Sequence, residues 1–202
     1  MEDNLLNFHR WFPTVIGLND CPFINEIKQE YKDYLNIKDD EPQGYQYHQL
    51  HKDERFKRLF DWQQEQVNVF TEAHSWQQMK PGESWYIDYQ PYTNNHWHKH
   101  LGWAVSTVFI LDADPMDSPT CFRSPLYGDA IYTRTQEEKK ILNPIEIEEA
   151  ERFNEFTYPT CEYKPLPGKL LIFKSSVEHM IDNKAPDLGP RVIFSTNYRS
   201  IK

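Results

Sequence analysis

The chain has 202 residues, of which 15% are aromatic and only 7 are glycine, and its formal net charge at pH 7 is −9. This length is enough for one domain with a substantial hydrophobic core. The negative charge and the lack of a basic block argue against non-specific nucleic-acid binding. No segment approaches the roughly 20 apolar residues of a membrane-spanning helix. Three widely separated cysteines without a CxxC pair indicate a reducing compartment. We therefore expect a soluble, cytoplasmic protein.

Residues 1–80 are predicted to be mostly helical. After a short β-type segment at Trp11–Leu18, two stretches carry apolar side chains at helical spacing. The first stripe consists of Phe23, Ile27, Tyr31 and Tyr34, and the second of Phe56, Leu59, Phe60, Gln63, Val67 and Phe70. Such stripes indicate helix faces that pack on a core.

From residue 81 onwards the sequence is typical of β-structure. Aromatic and β-branched residues form short runs bounded by Pro, Gly and Asn. The predicted strands are Ser84–Gln90, Ala104–Leu111, Thr120–Phe122, Lys169–Lys174 and Arg191–Tyr198. Strands of this length and spacing predict a sandwich or jelly roll. A charged insert at about 135–156 is predicted to be helical. Without a repeat or linker, residues 1–202 are interpreted as one mainly β domain of the α+β class, braced by N-terminal helices.

Three histidines alternate in the stretch "NNHWHKHLGW": His96, His98 and His100. In an extended strand, residues i, i+2 and i+4 share one face, so the three imidazoles would converge. A solvent-exposed strand end without a metal would give the same pattern of histidines. The cluster alone leaves a metal, a proton relay or a solvated surface open.

Two further residues favour a metal site. His179 follows an apolar strand in "GKLLIFKSSVEH", and Arg191 opens the last predicted strand, "RVIFSTNY". Imidazole binds Fe, Cu, Ni and Zn, so the ligand type does not select the metal. The planar guanidinium of an Arg can hold a carboxylate in bidentate geometry. A metal with an Arg nearby is suited to a small dicarboxylate.

Together these blocks resemble a small group of the 2-oxoglutarate/Fe(II) oxygenases. The signature of that group runs H-x-H, L-S-G-V-Y-Y, F-x-D-P, G-x-L-V-x-F-P-S-W-x-x-H and R-x-S-x-S-F-N. The counterparts here read "HKHLGWAVSTVFI", "FRSP", "GKLLIFKSSVEH" and "RVIFSTN", with the spacing kept in each block. The resemblance covers roughly the C-terminal 120 residues, and "WFPTVI" is similar to the opening segment of the group. It implies a double-stranded β-helix, a cupin-like jelly roll, as the core.

The resemblance also implies roles for individual residues. His98 and His179 match the first and the distal metal ligand, and His100 stands where many relatives have the carboxylate of H-x-D. Arg191 matches the partner of the far carboxylate of 2-oxoglutarate. Other positions expected at the co-substrate are Tyr89, Ser195 and Asn197.

The third ligand is the main departure from the family pattern. The usual site has two histidines and one carboxylate, whereas His100 would give three neutral imidazoles. Asp88, on the strand leading into the cluster, is an alternative ligand. Glu178 should point away from its neighbour His179. His96 matches no ligand position and is interpreted as an outer or surface residue.

The sequence thus favours an Fe(II)- and 2-oxoglutarate-dependent dioxygenase that hydroxylates a primary substrate and releases succinate and CO2. Two alternatives stay open. One is a three-histidine cupin-type dioxygenase that uses O2 without 2-oxoglutarate, and the other is a non-enzymatic jelly-roll structural or binding protein. The expected small molecules are 2-oxoglutarate and O2. No membrane or nucleic-acid partner is expected, and a homodimer stays open.

Overall fold

The computed structural model describes residues 14–37, 45–46, 49–125 and 160–201. Its helices are α1 (Ile24–Ile37) and α2 (Lys57–Ala73), the latter preceded by 3-10 turns at Leu50–Lys52 and Glu54–Phe56. The strands are β1 (Ile16–Asp20), β2 (Tyr45–Gln46), β3 (Met79–Asp88), β4 (Asn95–His98), β5 (Val105–Asp112), β6 (Thr120–Arg123), β7 (Thr160–Tyr163), β8 (Lys169–Lys174), β9 (His179–Ile181) and β10 (Val192–Ser200). The helical insert predicted at about 135–156 lies outside the described residues.

The strands form two antiparallel sheets. The large sheet has the order β1-β8-β5-β10-β3-β2, and the small sheet has the order β4-β9-β6-β7. All five predicted strands are present, with β8 matching its predicted bounds and the others differing by a few residues at their ends. The large sheet also includes β1 and β2, from the segment that we expected to serve mostly as helical support.

The two helices cover one face of the large sheet. The side chains of both predicted stripes are buried there, apart from Phe23, which is partly buried. They pack on Tyr86, Phe109 and Phe194 from the central strands. Each such buried aromatic or aliphatic side chain contributes roughly 1.5–3 kcal/mol. This packing, more than intrinsic helix propensity, accounts for the stability of two short helices.

The opposite face of the large sheet packs against the small sheet. Strand alternation places Val108, Leu171 and Ile193 on this inner face, while their neighbours face the helices. Because both faces of the central strands are covered, β5 and β8 each contain a run of four consecutive apolar residues, VFIL and LLIF. Polar side chains on the inner face are therefore exceptions within an apolar layer, and the candidate site lies on this face.

Among the described residues, no helix combines the length and the apolar character needed to cross a membrane.

Candidate functional site

Three histidines from the small sheet and its adjoining turn meet on the inner face. His98 ends β4 and His179 begins β9, and the two are direct cross-strand partners. Their ring centroids lie 4.2 Å apart. His100 follows β4 and joins them, with centroids 5.2 Å from His98 and 5.0 Å from His179. One nitrogen from each ring can be chosen so that all three lie within 4.8 Å of one another.

A turn places His100 in this group. β4 ends at His98, so strand alternation alone does not bring His100 to the site. The main-chain N–H of His100 donates to the carbonyl of Ser175 at 2.9 Å. Gly102 then adopts φ +88°, in the left-handed region where glycine is favoured, as the chain turns into β5. His96, in contrast, points to solvent, as expected for a residue that is not a ligand.

Each of the three rings has its Nδ1 atom opposite an oxygen acceptor. His98 Nδ1 lies 2.6 Å from the carbonyl of His96, and His179 Nδ1 lies 3.0 Å from that of Val177. His100 Nδ1 lies 2.5 Å from Oδ1 of Asn197. Because these oxygens have no proton to donate, each Nδ1 is assigned as the protonated donor. The lone pair of every Nε2 atom is thereby available to a metal ion.

Burial keeps two of these imidazoles neutral. His179 is only 3% exposed and packs against the rings of Phe122 and Phe173. Desolvation, reinforced by His98, lowers the pKa of His179 to about 3. Desolvation also lowers the pKa of His100, although the hydrogen bond to Asn197 opposes the shift. Neutral imidazole is the form that ligates metals.

The depressed pKa of His179 predicts acid sensitivity of the metal-free protein. The unfolded chain takes up a proton near pH 6.5, but the folded protein does so only near pH 3. The free energy of unfolding should therefore be fully retained above pH 6.5 and fall between pH 6.5 and about pH 3, with a slope of up to roughly 1.4 kcal/mol per pH unit from this group. Urea unfolding at pH 7 and pH 4.5 checks this. His179→Gln, which cannot titrate, should show a smaller difference, and an equal difference would contradict the prediction.

The histidines open into a cavity of about 340 Å³, within the size range of small-molecule sites. Its lining is mixed. The apolar wall includes Trp85, Trp103 and Val108, and polar groups come from Glu83, Thr120, Ser195 and Asn197. The Thr120 hydroxyl is fully buried and has no hydrogen-bond partner among the described residues. A buried hydroxyl in this condition is energetically unfavourable unless a ligand or water satisfies it.

Arg191 lies deep between the sheets, two residues before Ile193 of the cavity wall. Its side chain is 1% exposed, and its Nε and Nη1 atoms have no hydrogen-bond partner within the described parts of the chain. The nearest acidic group is Asp117, with Nη1 and Oδ2 3.9 Å apart. The guanidinium lies 5.4 Å from the ring centroid of Tyr89. Burial lowers the pKa of Arg191 from its usual value. A buried guanidinium with unused donors favours an anionic ligand.

The acidic alternatives do not join the histidines. Asp88 is not part of the histidine group and does not line the cavity. It follows Ile87 of the cavity wall and lies near Tyr31 on the helix-facing side, where burial first and the Asp88 carboxylate second raise the pKa of the Tyr31 phenol. Glu178 points away from His179, as expected, and its carboxylate pairs with Arg123 at 3.2 Å. The described residues around the three imidazoles therefore supply no ligand carboxylate.

The expected co-substrate residues fall into different places. Ser195 and Asn197 line the cavity, whereas Tyr89 is a buried neighbour of Arg191. Asn197 also contacts His100 directly, a role that the sequence comparison did not predict. Thr120 was predicted only as a strand residue. Its place beside the histidines depends on the pairing of β6 with β9, which no local pattern encodes.

Comparison with known proteins adds the following findings. A family model described as "Putative 2OG-Fe(II) oxygenase" matches residues 83–197. No curated protein matches the sequence. HygX from Streptomyces hygroscopicus, solved with nickel and 2-oxoglutarate bound, aligns with a TM-score of 0.63 and 13% identity over 93% of this chain and 83% of that chain. A Pseudomonas putida prolyl-4-hydroxylase aligns with a TM-score of 0.58 and 10% identity over 94% of each chain.

A third similar structure is the viral collagen prolyl hydroxylase vCPH from Paramecium Bursaria Chlorella virus-1, in its 2-oxoglutarate complex. It aligns with a TM-score of 0.55 and 11% identity over 93% of this chain and 96% of that chain. At such low identities these structures bear on the fold alone. They confirm the predicted double-stranded β-helix architecture with supporting helices.

Proposed function

The chain belongs to the 2-oxoglutarate/Fe(II) oxygenase family, and from this premise we propose that it hydroxylates a primary substrate with Fe(II) held by His98, His100 and His179. The observation that carries the proposal is the convergence of the three rings with every Nδ1 engaged by an oxygen. One nitrogen from each ring lies within 4.8 Å of the other two, and the engaged Nδ1 atoms leave Nε2 as the nitrogen with a free lone pair. The remaining positions of a six-coordinate metal would be open to ligands from outside the protein.

The donor set fits a divalent metal of the imidazole-binding class. Imidazole ligands carry no charge, so Fe(II) would keep its full +2 charge, compared with +1 in a site with one ligand carboxylate. A dianionic co-substrate would then neutralise the centre. Ligand type does not distinguish Fe(II) from Co(II), Ni(II) or Zn(II), and the choice of iron here comes from the family, which uses Fe(II) and 2-oxoglutarate.

We place the distal carboxylate of 2-oxoglutarate at Arg191. The unused Nε and Nη1 donors support this placement, because a buried guanidinium favours an anionic oxygen ligand. The Thr120 hydroxyl on the cavity wall is a further buried group that a ligand could satisfy. Ser195, on β10, lies on the cavity wall four residues after Arg191 and two residues before Asn197, which contacts His100. In this arrangement Tyr89 packs beside the guanidinium, and Asn197 acts through His100.

When bound, Fe(II) and 2-oxoglutarate supply the activation of O2, with succinate and CO2 as products. The chain's own residues bind and orient these groups. Trp85, Phe122 and Phe173 enclose the imidazoles and limit the access of water, which strengthens the electrostatic interactions within the site.

The decisive experiment is an anaerobic titration with Fe(II) followed by 2-oxoglutarate. Chelation of a keto acid by the protein-bound metal should produce a visible metal-to-ligand charge-transfer band. The three-imidazole set without a carboxylate also fits a dioxygenase that uses O2 but no 2-oxoglutarate, in which Arg191 would bind the carboxylate of the substrate itself. Fe(II) binding without a band upon addition of 2-oxoglutarate would favour that second function.

His100 provides a specific prediction for this site. His100→Asp restores the H-x-D pattern of relatives and should retain Fe(II), because a carboxylate replaces the imidazole as a ligand. His100→Ala should open a coordination position and weaken Fe(II) binding by at least about tenfold. Competition with a chromophoric chelator measures both affinities. If His100→Ala binds Fe(II) as tightly as the parent, His100 is not a ligand.

We further propose that the protein acts in the cytoplasm as one domain. Three free cysteines among the described residues support a reducing location. Burial raises the pKa of Cys21 and Cys121, which favours unreactive thiols. A homodimer and the lack of a nucleic-acid partner remain predictions, and size-exclusion chromatography with light scattering would test the oligomeric state.

A further inference from the structure

His100 differs from the other two histidines in the kind of hydrogen-bond acceptor that its Nδ1 atom contacts. His98 and His179 donate to main-chain carbonyls, but His100 donates to a side chain, Oδ1 of Asn197. Ser106 Oγ donates to the same Oδ1 at 2.7 Å and lies 2.8 Å from Ser175 Oγ. Oδ1 therefore faces both groups, and the orientation of the Asn197 amide is fixed on its opposite side, where Nδ2 faces a carboxylate that can only accept.

The nitrogen of the Asn197 amide contacts a carboxylate. Asn197 Nδ2 donates to Oε2 of Glu83 at 3.3 Å. The two residues are direct cross-strand partners on β10 and β3, and both line the cavity. A negative charge therefore lies one amide group away from His100. Within the described parts of the chain, no acidic group lies in the histidine cluster itself.

We propose that Asn197 is a positioning residue that selects Nε2 of His100 as a metal ligand, and that Glu83 acts through the Asn197 amide. Glu83 thereby supplies the negative charge that a ligand carboxylate would otherwise bring, and the chain of contacts Glu83–Asn197–His100 is called the relay. The inference rests on the proposed function. The amide oxygen accepts a hydrogen bond from Nδ1–H but does not take up the proton. The imidazole therefore stays neutral and keeps its orientation. The carboxylate remains outside the coordination sphere and leaves the open positions to the co-substrate. The relay therefore partly compensates the +2 charge of a metal held by three neutral ligands.

The positioning role predicts a difference between two Asn197 variants. Asn197→Leu has a similar volume but no acceptor for Nδ1, so Co(II) should bind roughly 10- to 100-fold more weakly. Asn197→Asp combined with Glu83→Gln keeps an acceptor oxygen and one negative charge without placing two carboxylates together, and it should bind Co(II) within about threefold of the parent. Co(II) titration by visible absorption measures both, with urea unfolding as a check of folding. Parent-like binding by Asn197→Leu, or equal losses in the two variants, would overturn the positioning role.

The charge role predicts that Glu83→Gln changes the affinities for Co(II) and for 2-oxoglutarate in opposite directions. Removing the negative charge should weaken Co(II) binding by roughly threefold to tenfold, and tighten 2-oxoglutarate binding to the Co(II)-loaded protein by a similar factor. A purely structural role would not separate the two affinities in this way. Glu72→Gln, an exposed Glu near the end of α2, is the matched control and should change neither. Two affinities that stay unchanged or shift in the same direction would overturn the charge role.

The outcomes separate the relay from the proposed function. If the parent protein does not bind Co(II), the metal site itself is wrong and the relay is overturned with it. If the parent binds Co(II) and 2-oxoglutarate but the Asn197 and Glu83 variants match it, the function is supported and only the relay is overturned.

Discussion

Replacing His179 by alanine is expected to abolish measurable Fe(II) and Co(II) binding. His179 lies closest to both other imidazoles, and the hydrogen bond from its Nδ1 atom to Val177 leaves its Nε2 lone pair free for the proposed metal. Loss of an outer partner of a ligand costs roughly 10- to 100-fold in metal affinity, and loss of a ligand should cost more. Anaerobic Fe(II) binding and Co(II) absorption titrations provide the measurement.

Two further variants make this result interpretable. His179 packs on Phe122 and Phe173, so its truncation also removes core contacts at a cost on the order of 2 kcal/mol in stability. His98 is only partly buried, and His98→Ala should give the same loss of metal with a smaller effect on folding. His96→Ala is the matched control, because this exposed side chain belongs to the same segment and its carbonyl is retained. Undiminished metal affinity in both His98→Ala and His179→Ala would refute the metal assignment.

The sequence was sufficient to predict the fold class because helical spacing and apolar strand runs can both be recognised within short segments of the chain. Helical spacing identified the buried faces of α1 and α2, and apolar runs identified β5, β8 and β10. The short strands β4, β7 and β9 were not predicted, because a run of only three or four residues carries little periodic signal. The inclusion of β1 in the large sheet was missed for a related reason. Its pairing with β8 connects residues about 150 positions apart.

The candidate site was predicted only in part. His98, His100 and His179 could be proposed from their position in motifs, but an extended strand was only one of the ways left open to bring His98 and His100 together. β4 ends at His98, and the hydrogen bond from His100 to Ser175 places the third imidazole. The relay through Asn197 and Glu83 requires the register of β3 with β10. Such cross-strand contacts arise from tertiary pairing, which residue spacing in a single chain does not determine.

The surroundings of Arg191 determine how a co-substrate experiment must be designed. The guanidinium and the Asp117 carboxylate are both inaccessible to solvent and are 3.9 Å apart. Arg191→Ala would leave the charge of Asp117 buried without its partner, at a cost of roughly 3–5 kcal/mol in stability. A weakened 2-oxoglutarate affinity in this variant could then reflect partial unfolding. Arg191→Lys avoids the problem because it keeps the positive charge, and Arg191→Met combined with Asp117→Asn removes both charges together.

Arg191→Lys is expected to weaken 2-oxoglutarate binding at least about tenfold, because an ammonium group cannot reproduce the two parallel N–H donors of the guanidinium fork. The variant with Arg191→Met and Asp117→Asn should lose more, on the order of 2–5 kcal/mol. Fe(II) affinity in the absence of 2-oxoglutarate should remain near that of the parent in both, since Arg191 is not among the grouped histidines. Titration of the charge-transfer band of the Fe(II)-loaded protein measures co-substrate affinity. Arg199→Lys, at an exposed position on β10, is the matched control. If both variants bind 2-oxoglutarate like the parent, Arg191 does not bind its distal carboxylate, and the dioxygenase without 2-oxoglutarate becomes the better interpretation of the three-histidine site.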